Sequence, residues 1–275
     1  MKLVIKVGGQ ALEEIGQRRQ LARQVGELHR RGHRVVLVHG GGKMLTRTLA
    51  SLNIPTNFVN GLRVTDAATR DVALMVLAGA VNKQLVSALE EEGVSALGLC
   101  GGDAALIRAR KIQNRKVLKG SKNGQDLGFV GRPEKVNTRI LEIAFREGMV
   151  PVVASLALGA RGEYLNVNAD DFAAALAVAV KADRLLYLTE SGGVWDAERR
   201  LLPLIKVGDI RGLIQKGIVR DGMIPKLRSC ARTLRHVVGE IDILPSDSSG
   251  VLIEAVENRA ATGTRIVQGS EPQRR

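Results

Sequence analysis

The chain has 275 residues, of which 45% are hydrophobic and 3% are aromatic. This length is enough for one large α/β domain or two smaller fused ones, with a core of aliphatic side chains. No apolar run reaches the roughly 20 residues that cross a bilayer, and no secretory signal precedes the first strand, so we expect a cytoplasmic protein without a membrane span. Cys100 and Cys230 lie far apart and the four histidines lack metal-binding spacing, so neither a disulfide nor a catalytic metal site is expected.

The formal net charge is +13, and seven basic residues follow one another without an intervening acid. They are Arg108, Arg110, Lys111, Arg115, Lys116, Lys119 and Lys122. Clustered positive charge binds nucleic-acid phosphates, but this run lacks the aromatic side chains that stack on bases, so nucleic acid is not the expected partner. We favour an exposed β-hairpin between 105 and 131, with Gly120, Asn123 and Gly124 as turn residues. The charge also attracts anionic substrates.

Short apolar runs, most of them ending in glycines, alternate with stretches of helical periodicity along the chain. Buried strands are predicted at 3–7, 34–39, 94–100, 150–158, 185–189 and 241–245. Helices are predicted at 17–32, 44–52, 69–92, 138–148, 170–181, 209–217 and 225–237. Buried strands that alternate with helices form mainly parallel sheets covered on both faces. The predicted fold class is therefore α/β, with a mainly parallel open sheet sandwiched between helices.

No internal repeat or low-complexity linker divides the chain, so two lobes would have to share one continuous sheet. We place their boundary near Lys181. This gives an N-terminal lobe at 1–181, a C-terminal lobe at 182–268 and a polar tail at 269–275.

Glycines cluster where the predicted strands end, at 8–9, 40–42, 101–102 and 192–193. In open parallel sheets, ligands bind beyond the carboxyl ends of the strands, and glycines let backbone N–H groups approach an anion closely. Four such junctions on one edge favour anion binding over simple tight turns. The pattern is not a P-loop, because Met44 follows Lys43, and it is not a dinucleotide fingerprint, because Leu45 replaces the third glycine.

Seven short motifs occur in order over nearly the whole chain. They are KVGG at 6–9, HGGGK at 39–43, NGLRVTD at 60–66, VNK at 81–83, LGFVG at 127–131, NVNAD at 166–170 and GMIPK at 222–226. Together they resemble the acetylglutamate kinases of the amino acid kinase family. The resemblance implies the amino acid kinase fold, with acetylglutamate in the N-terminal lobe and ATP in the C-terminal lobe. It also implies ATP-dependent phosphorylation of the side-chain carboxylate of N-acetyl-L-glutamate, in arginine biosynthesis.

The same resemblance implies roles for individual residues. Lys6 and Lys226 would bracket the transferring phosphoryl group, and Asp170 would orient both lysines. The acceptor would be bound by Gly41, Gly42, Arg63 and Asn166. The nucleotide would be bound by Gly8, Gly9, Glu190, Ser191, Gly192, Gly193, Val194, Trp195 and Val219. Mg²⁺ would be held mainly through the phosphates of ATP.

The chemistry of phosphoryl transfer to a carboxylate supports these residue types independently of the resemblance. A carboxylate acceptor has a pKa of about 4.3 and is ionised near neutral pH, so it needs no general base. The difficulty is its approach to a triphosphate of the same sign, which lysines, backbone amides and Mg²⁺ offset in an in-line transfer. Lys6 follows a buried apolar strand, and Lys226 stands at a helix start where the dipole favours acids, so both positions favour a functional role.

Three departures from the family pattern leave rival functions open. Glu190 stands where relatives usually have Asp, CGGDA at 100–104 replaces a Ser-Gly-Lys-Asp-Gly pattern, and SDSSG at 246–250 lacks the usual Asp-Gly-Arg.

One rival function is that of a kinase for an aminoadipate or glutamate unit on an acidic carrier protein, which the positive charge would suit. The other is a non-catalytic nucleotide- or nucleic-acid-binding protein on the same fold, against which the three retained catalytic residues argue.

We also predict a homodimer without arginine feedback. The helix at 69–92 carries apolar residues on more than one face, namely Val72, Met75, Val76, Leu77 and Val81. One face can pack on the sheet and another against a two-fold mate. The first strand starts at Lys2, so the helical extension that arginine-inhibited relatives use to form hexamers is not expected.

Overall fold

The computed structural model describes residues 1–112, 126–219, 223–236, 238–258 and 262–269. Its strands are β1 Lys2–Val7, β2 Arg34–His39, β3 Phe58–Val59, β4 Leu62–Arg63, β5 Ala96–Cys100, β6 Ile107–Lys111, β7 Val130–Val136, β8 Val150–Ala154, β9 Leu156–Leu158, β10 Tyr164–Val167, β11 Arg184–Thr189, β12 Leu204–Lys206, β13 Glu240–Pro245 and β14 Thr264–Val267. Its α-helices are α1 Gln10–Glu13, α2 Ile15–Arg30, α3 Gly42–Ser51, α4 Ala67–Ala73, α5 Asn82–Glu91, α6 Arg139–Arg146, α7 Ala169–Ala179, α8 Ile210–Gln215, α9 Met223–Leu234 and α10 Val251–Ile253. The π-helical segments are Leu74–Val81 and Glu254–Asn258, and the 3₁₀ turns are Asp103–Ala105 and Val207–Asp209.

A central sheet of eight strands has the order β12-β14-β13-β11-β1-β2-β8-β5. Its neighbouring strands run parallel except β13 and β14, which pair antiparallel. The predicted α/β fold with a mainly parallel sheet is thereby confirmed. Strands that precede Lys181 fill one half of the sheet and strands that follow it fill the other, with β1 and β11 adjacent at the centre. The division into two lobes at this point stays a prediction.

The predicted strand at 150–158 is in fact two strands in different sheets. β8 lies in the central sheet, whereas β9 joins β6, β7 and β10 in a small closed barrel. The break falls at Ser155, whose N–H donates to the carbonyl of His39 at 3.1 Å. The Ser155 carbonyl in turn accepts from the N–H of Val167 at 3.1 Å. These two bonds tie the end of β8 to β2 and to the end of β10, so the chain passes from one sheet into the other.

The predicted hairpin at 105–131 lies partly outside the described residues. Its flanks are β6 and β7, which pair antiparallel as expected for a hairpin. The turn residues at 120–124 and the basic residues at 115–122 fall outside the described part of the chain. The exposed basic tip therefore stays a prediction.

The predicted helix at 69–92 is one continuous helix, Ala67–Glu91, with the π-helical segment Leu74–Val81 in its middle. Asp66 caps it by accepting a hydrogen bond from the N–H of Thr69 at 2.8 Å. The helix is long and apolar enough to cross a bilayer, but half of its most apolar window is buried within the protein. Such burial is typical of a core helix that packs against a sheet.

Four of the five apolar residues behind the dimer prediction belong to the core. Val72, Val76, Leu77 and Val81 are at most 6% exposed, whereas Met75 is 62% exposed. π-helical turns hold more residues than α-helical ones, so they rotate successive side chains differently from a regular 3.6-residue period. Of these five residues, Met75 alone stays available to a partner.

Helices cover both faces of the central sheet and form two hydrophobic cores with it. Side chains alternate along β1, so Leu3 and Ile5 enter the core under α2, α3 and α5. Val4 enters the other core, under α7 and α9. Lys6 follows the alternation of Val4 and therefore emerges on the α7 and α9 face near the end of the strand.

Candidate active site

Three charged side chains meet where β1, α7 and α9 converge. Oδ1 of Asp170 lies 3.0 Å from Nζ of Lys6, and Oδ2 of Asp170 lies 2.5 Å from Nζ of Lys226. The three side chains are between 13% and 22% exposed, so they are largely removed from water. The structure thus brings the three predicted catalytic residues together in one cluster, which we call the Asp170 cluster.

The electrostatics of the Asp170 cluster keep its carboxylate ionised. Burial by itself raises the pKa of Asp170, but the adjacent charges of Lys6 and Lys226 outweigh burial and lower that pKa to about 2. One carboxylate beside two ammonium groups leaves a net positive charge. The cluster can therefore attract an anion while Asp170 fixes the position of both ammonium groups.

The NVNAD motif builds the helix start that carries Asp170. Asn168 is the N-cap of α7, and its side-chain oxygen accepts from the N–H groups of Asp170 at 2.9 Å and Asp171 at 3.2 Å. Asn166 lies just before it on β10, where its amide donates to Oγ1 of Thr65 at 3.3 Å. Asn168 was not among the predicted site residues, although its type and its place before a helical pattern are an N-cap signal.

Tyr187 packs against the Asp170 cluster, a contact that sequence patterns did not predict. It pairs with Lys6 in the register of β1 and β11 and is fully buried. Its hydroxyl donates to the backbone carbonyl of Asp170 at 3.3 Å, and Nζ of Lys226 lies 4.7 Å from the centre of its ring. The cation–π contact helps to hold Lys226 against Asp170. This role depends on which strand lies beside β1, which local sequence does not reveal.

A pocket of about 290 Å³ opens beside the Asp170 cluster, at the carboxyl ends of β1 and β2. Eight predicted site residues line it: Lys6, Gly8, Gly9, Gly41, Gly42, Arg63, Asn166 and Asp170. Apolar side chains in its lining include Leu45, Phe58, Leu62 and Leu77. A small pocket with a few convergent charged groups among apolar walls suits a small polar metabolite.

Arg63 reaches the pocket from β4 and is 8% exposed. Its guanidinium donates to the carbonyl of Gly42 at 3.1 Å and to Oγ1 of Thr46 at 2.7 Å. It also donates to Oγ1 of Thr56 at 3.3 Å and stacks 4.7 Å from the ring centre of Phe58. Burial lowers the pKa of this guanidinium, yet an arginine keeps its charge in a protein. Because no carboxylate among the described residues pairs with this buried cation, it favours an anionic ligand.

Two glycines after β1 leave space that charged side chains use. A Cβ atom on Gly8 would lie 2.9 Å from Nζ of Lys6, and one on Gly9 would lie 2.8 Å from Oε1 of Glu190. Gly9 also has a φ of +61°, a conformation that glycine adopts readily. The missing side chains at these two positions therefore let Lys6 and Glu190 stand beside the pocket.

Glu190 stands next to the pocket rather than in its lining. Nζ of Lys43 donates to Oε1 of Glu190 at 2.7 Å, and both side chains are more than half exposed. The pair connects the end of β11 to the first turn of α3, next to the glycine turn after β1. A surface ion pair of this kind adds little stability, so it can open for a ligand at small cost.

The remaining predicted nucleotide-binding residues do not line the pocket around Lys6. Residues 191–195 run on from β11, and the N–H of Val194 donates to Oγ1 of Thr264 at 2.7 Å. Trp195 is 45% exposed, whereas Val194 and Val219 are 2% and 3% exposed and belong to the core under α7 and α9. A nucleotide can therefore meet the ring of Trp195, but not the valine side chains as they are packed here.

The Asp170 cluster predicts an acid-sensitive part of the free energy of unfolding. The pKa of Asp170 falls from its ordinary 3.8 to about 2 in the folded protein, which corresponds to about 2 kcal/mol of stability above about pH 5. That contribution is lost as the pH falls through about 4 towards about 2. Urea unfolding of wild type and Asp170→Asn should therefore show a difference that shrinks by about 1 kcal/mol between about pH 5 and about pH 3. A difference that stays constant or widens would contradict the assigned charge state.

Several known proteins are similar to this chain over nearly its whole length. The sequence pattern of the amino acid kinase family matches residues 1–244. The acetylglutamate kinases of Koribacter versatilis and Acidobacterium capsulatum are 48% and 46% identical over 267 residues, which cover 97% of this chain and 99% of each relative. The structure of N-acetylglutamate synthase from Neisseria gonorrhoeae with coenzyme A and N-acetylglutamate is 26% identical, with a TM-score of 0.84 over 98% of this chain and 60% of that one. The chain therefore belongs to the amino acid kinase family.

Proposed function

We propose that this protein transfers the γ-phosphoryl group of ATP to the side-chain carboxylate of N-acetyl-L-glutamate. The observation that carries the proposal is a carboxylate held between two lysines, beside a small pocket that also contains Arg63. Relatives at 48% and 46% identity over almost their whole length are acetylglutamate kinases. The product is an acyl phosphate, which belongs to arginine biosynthesis.

The acceptor binds on the Arg63 side of the pocket. Arg63 holds its α-carboxylate through two charge-assisted hydrogen bonds, and Asn166 adds a further donor. Gly41 and Gly42 stand at the start of α3, where backbone N–H groups and the helix dipole favour an anion, here the reacting carboxylate. Among the residues that the structure describes, no group accepts a hydrogen bond from the N–H of Gly41 or Gly42. Both donors are therefore available to the acceptor.

The γ-phosphoryl group of ATP is transferred to the acceptor next to the Asp170 cluster. An acceptor oxygen attacks the γ-phosphorus, the bond to the β–γ bridging oxygen breaks, and ADP leaves. No proton has to move, because the acceptor is already ionised at neutral pH. Lys6 and Lys226 stabilise negative charge on the transferring oxygens. Asp170, with a pKa of about 2, holds the lysines in place and does not act as a base.

ATP lies with its phosphates along the glycine turn after β1, where Gly8 and Gly9 permit close approach. The base and ribose lie against the segment 190–195 and the backbone near Val219. Mg²⁺ would be held mainly by the nucleotide phosphates. Among the described residues, no group of three or more His, Cys, Asp or Glu side chains converges on one point. The charge of Mg²⁺ offsets the repulsion between the acceptor carboxylate and the triphosphate.

Trapping the acyl phosphate tests this function directly. The purified protein is incubated with ATP, Mg²⁺ and N-acetylglutamate, and hydroxylamine converts any acyl phosphate into a hydroxamate. Equal yields of ADP and hydroxamate support the proposal, whereas ADP release without hydroxamate, or no turnover, refutes it. A parallel reaction with a glutamate or aminoadipate unit on an acidic carrier tests the rival kinase, which the acetylglutamate kinase relatives do not favour.

Replacing either lysine of the Asp170 cluster should lower turnover far more than stability. Lys6→Met and Lys226→Met keep most of the side-chain volume but remove one charge donor, which costs about 100- to 1000-fold in kcat. The other lysine still neutralises Asp170, so thermal unfolding should change little. Lys2→Met on the same strand as Lys6 is the control and should keep wild-type kcat. Near wild-type turnover in a folded Lys6→Met or Lys226→Met would remove that lysine from the mechanism.

Arg63→Ala should chiefly weaken binding of the acceptor. Loss of hydrogen bonds to a charged group should raise the KM for N-acetylglutamate about 10- to 100-fold, while the KM for ATP changes by less than about threefold. Steady-state kinetics with each substrate varied in turn measures both values. Arg47→Ala is the matched control, because Arg47 lies on α3 with a side chain that is 63% exposed. Equal weakening of both substrates would assign Arg63 a structural role instead.

The protein is further proposed to be a cytoplasmic homodimer whose two lobes divide near Lys181. Met75 is 62% exposed on the helix Ala67–Glu91, and Ile15, which is 64% exposed, lines a surface groove with Ala80 of that helix. The α5 part of this helix packs on β5, the edge strand of the central sheet. In a dimer, this same surface of each copy would pack about a two-fold axis. Light scattering should give twice the 29.5 kDa chain mass for wild type and a lower mass for Met75→Lys, and a monomeric wild type would refute the dimer.

A further inference from the structure

His39 and Asn82 form a buried pair behind the glycine turn that follows β2. Both side chains are fully buried. Nδ1 of His39 lies 2.9 Å from the carbonyl oxygen of Gly40, and Nε2 of His39 lies 3.0 Å from the amide nitrogen of Asn82. Neither residue lines the pocket around Lys6, so neither touches a ligand bound there. They belong to the HGGGK and VNK motifs, of which the proposed mechanism uses only the glycines.

The contacts of this pair determine which ring nitrogen carries the proton. A carbonyl oxygen only accepts, so Nδ1 of His39 must donate to Gly40. Burial lowers the pKa of His39 to about 4, which leaves the ring neutral at neutral pH and its Nε2 without a proton. That nitrogen accepts from the Asn82 amide. The same NH₂ group faces the carbonyls of Val152 at 2.8 Å and Leu99 at 3.2 Å, so strands β8 and β5 orient it.

The π-helical segment places its own residues against the same glycine turn. Asn82 directly follows Leu74–Val81, and π-helical turns often occur at functional sites. A Cβ atom on Gly41 would lie 2.8 Å from Leu77 and 3.1 Å from Val81. With a φ of +140°, Gly41 also has a backbone conformation that side chains disfavour. One helical stretch thus packs on Gly41 and presents Asn82 to the histidine behind it.

We propose that His39 and Asn82 position the peptide between Gly40 and Gly41, so that the Gly41 N–H points at the reacting carboxylate and the transferring phosphoryl group. In a planar trans peptide, the C=O and the following N–H point in opposite directions. A Gly40 carbonyl held by the buried imidazole therefore turns the Gly41 N–H towards the pocket. This inference rests on the proposed function, in which Gly41 is a donor to the acceptor, and it makes His39 and Asn82 positioning residues.

The expected signature is an effect on kcat rather than on KM. Without the bond to His39, the peptide between Gly40 and Gly41 can rotate and present its carbonyl oxygen, instead of its N–H, to the acceptor carboxylate and the phosphoryl group. The resulting loss of electrostatic stabilisation is greatest in the transition state, where charge is being redistributed, and smaller in the ground-state complex. Loss of the His39 donor should therefore lower kcat more than it raises either KM.

Two variants of His39 distinguish the effect of its hydrogen bond to Gly40 from the effect of its packing. Asparagine carries its amide nitrogen in the place of Nδ1, so His39→Asn keeps the hydrogen bond to Gly40. Glutamine carries its amide near the place of Nε2, so His39→Gln loses that bond while filling more of the space. We expect kcat within about threefold of wild type in His39→Asn and about 10- to 100-fold lower in His39→Gln, with each KM within about threefold. Comparable losses in both variants, or wild-type kcat in His39→Gln, would overturn the proposal.

Asn82 gives a second test through a double-mutant cycle. Without the Asn82 amide, the proton of His39 can move to Nε2, and Nδ1 then stops donating to Gly40. Asn82→Ala should therefore lower kcat about 10- to 100-fold in the wild-type background but by less than about threefold in His39→Asn, whose amide has no such proton to lose. Equal factors in the two backgrounds would show that Asn82 acts by packing alone and would overturn its part in the proposal.

Crystal structures of the His39 variants test the inference whatever the acceptor is. The Gly40 carbonyl should keep its orientation in His39→Asn and rotate away in His39→Gln. An unrotated carbonyl in His39→Gln would overturn the positioning role even if kinetics were impaired. A wild-type protein that failed to phosphorylate N-acetylglutamate would instead refute the proposed function, while these structures would still decide the role of His39.

Discussion

The ion cluster of Asp170 with Lys6 and Lys226 is the interaction on which the rest of the site depends. A buried carboxylate left without a cation costs about 3–5 kcal/mol, so Asp170 can stay at this depth only beside a lysine. The two lysines come from β1 and α9, whereas Asp170 starts α7. The two ion pairs of this carboxylate therefore link the centre of the sheet to two helices on one of its faces, next to the strand ends where the pocket opens.

In the proposed reaction, the groups around this cluster offset the repulsion between two anions, the acceptor carboxylate and the triphosphate. Arg63 contributes a buried positive charge, and the turn at 40–42 contributes backbone donors at the start of a helix. Such preorganised charges and dipoles act most strongly where water is excluded, and they do not have to reorganise during the reaction. The histidine nearest to this turn, His39, is neutral and hydrogen-bonded through both ring nitrogens. These hydrogen bonds suit a histidine that fixes the conformation of the turn rather than one that transfers a proton.

Periodicity and glycine placement were sufficient to predict the parallel sheet and the edge of it at which the pocket opens. They failed where the structure of a segment depended on contacts with other segments. The apolar run at 150–158 is uniform, so its break at Ser155 depends on hydrogen bonds to His39 and Val167. The short strands β12 and β14 carry little pattern of their own. Family motifs named Val194 for the nucleotide, but a motif does not say whether a side chain faces a ligand or the core, and this one is buried.

The amino-acid sequence by itself determined the α/β class, the glycine turns at the strand ends, and the charged residues that could serve as a phosphoryl-transfer site. Side-chain period and backbone freedom are properties of short segments, so they can be read locally. The tertiary structure decided that Lys6 meets Asp170 and Lys226, that Tyr187 stands beside them, and that His39 meets Asn82, the residue after the π-helical segment. Burial and ion pairing depend on distance in space, and strand order and register set those distances between segments far apart in the chain.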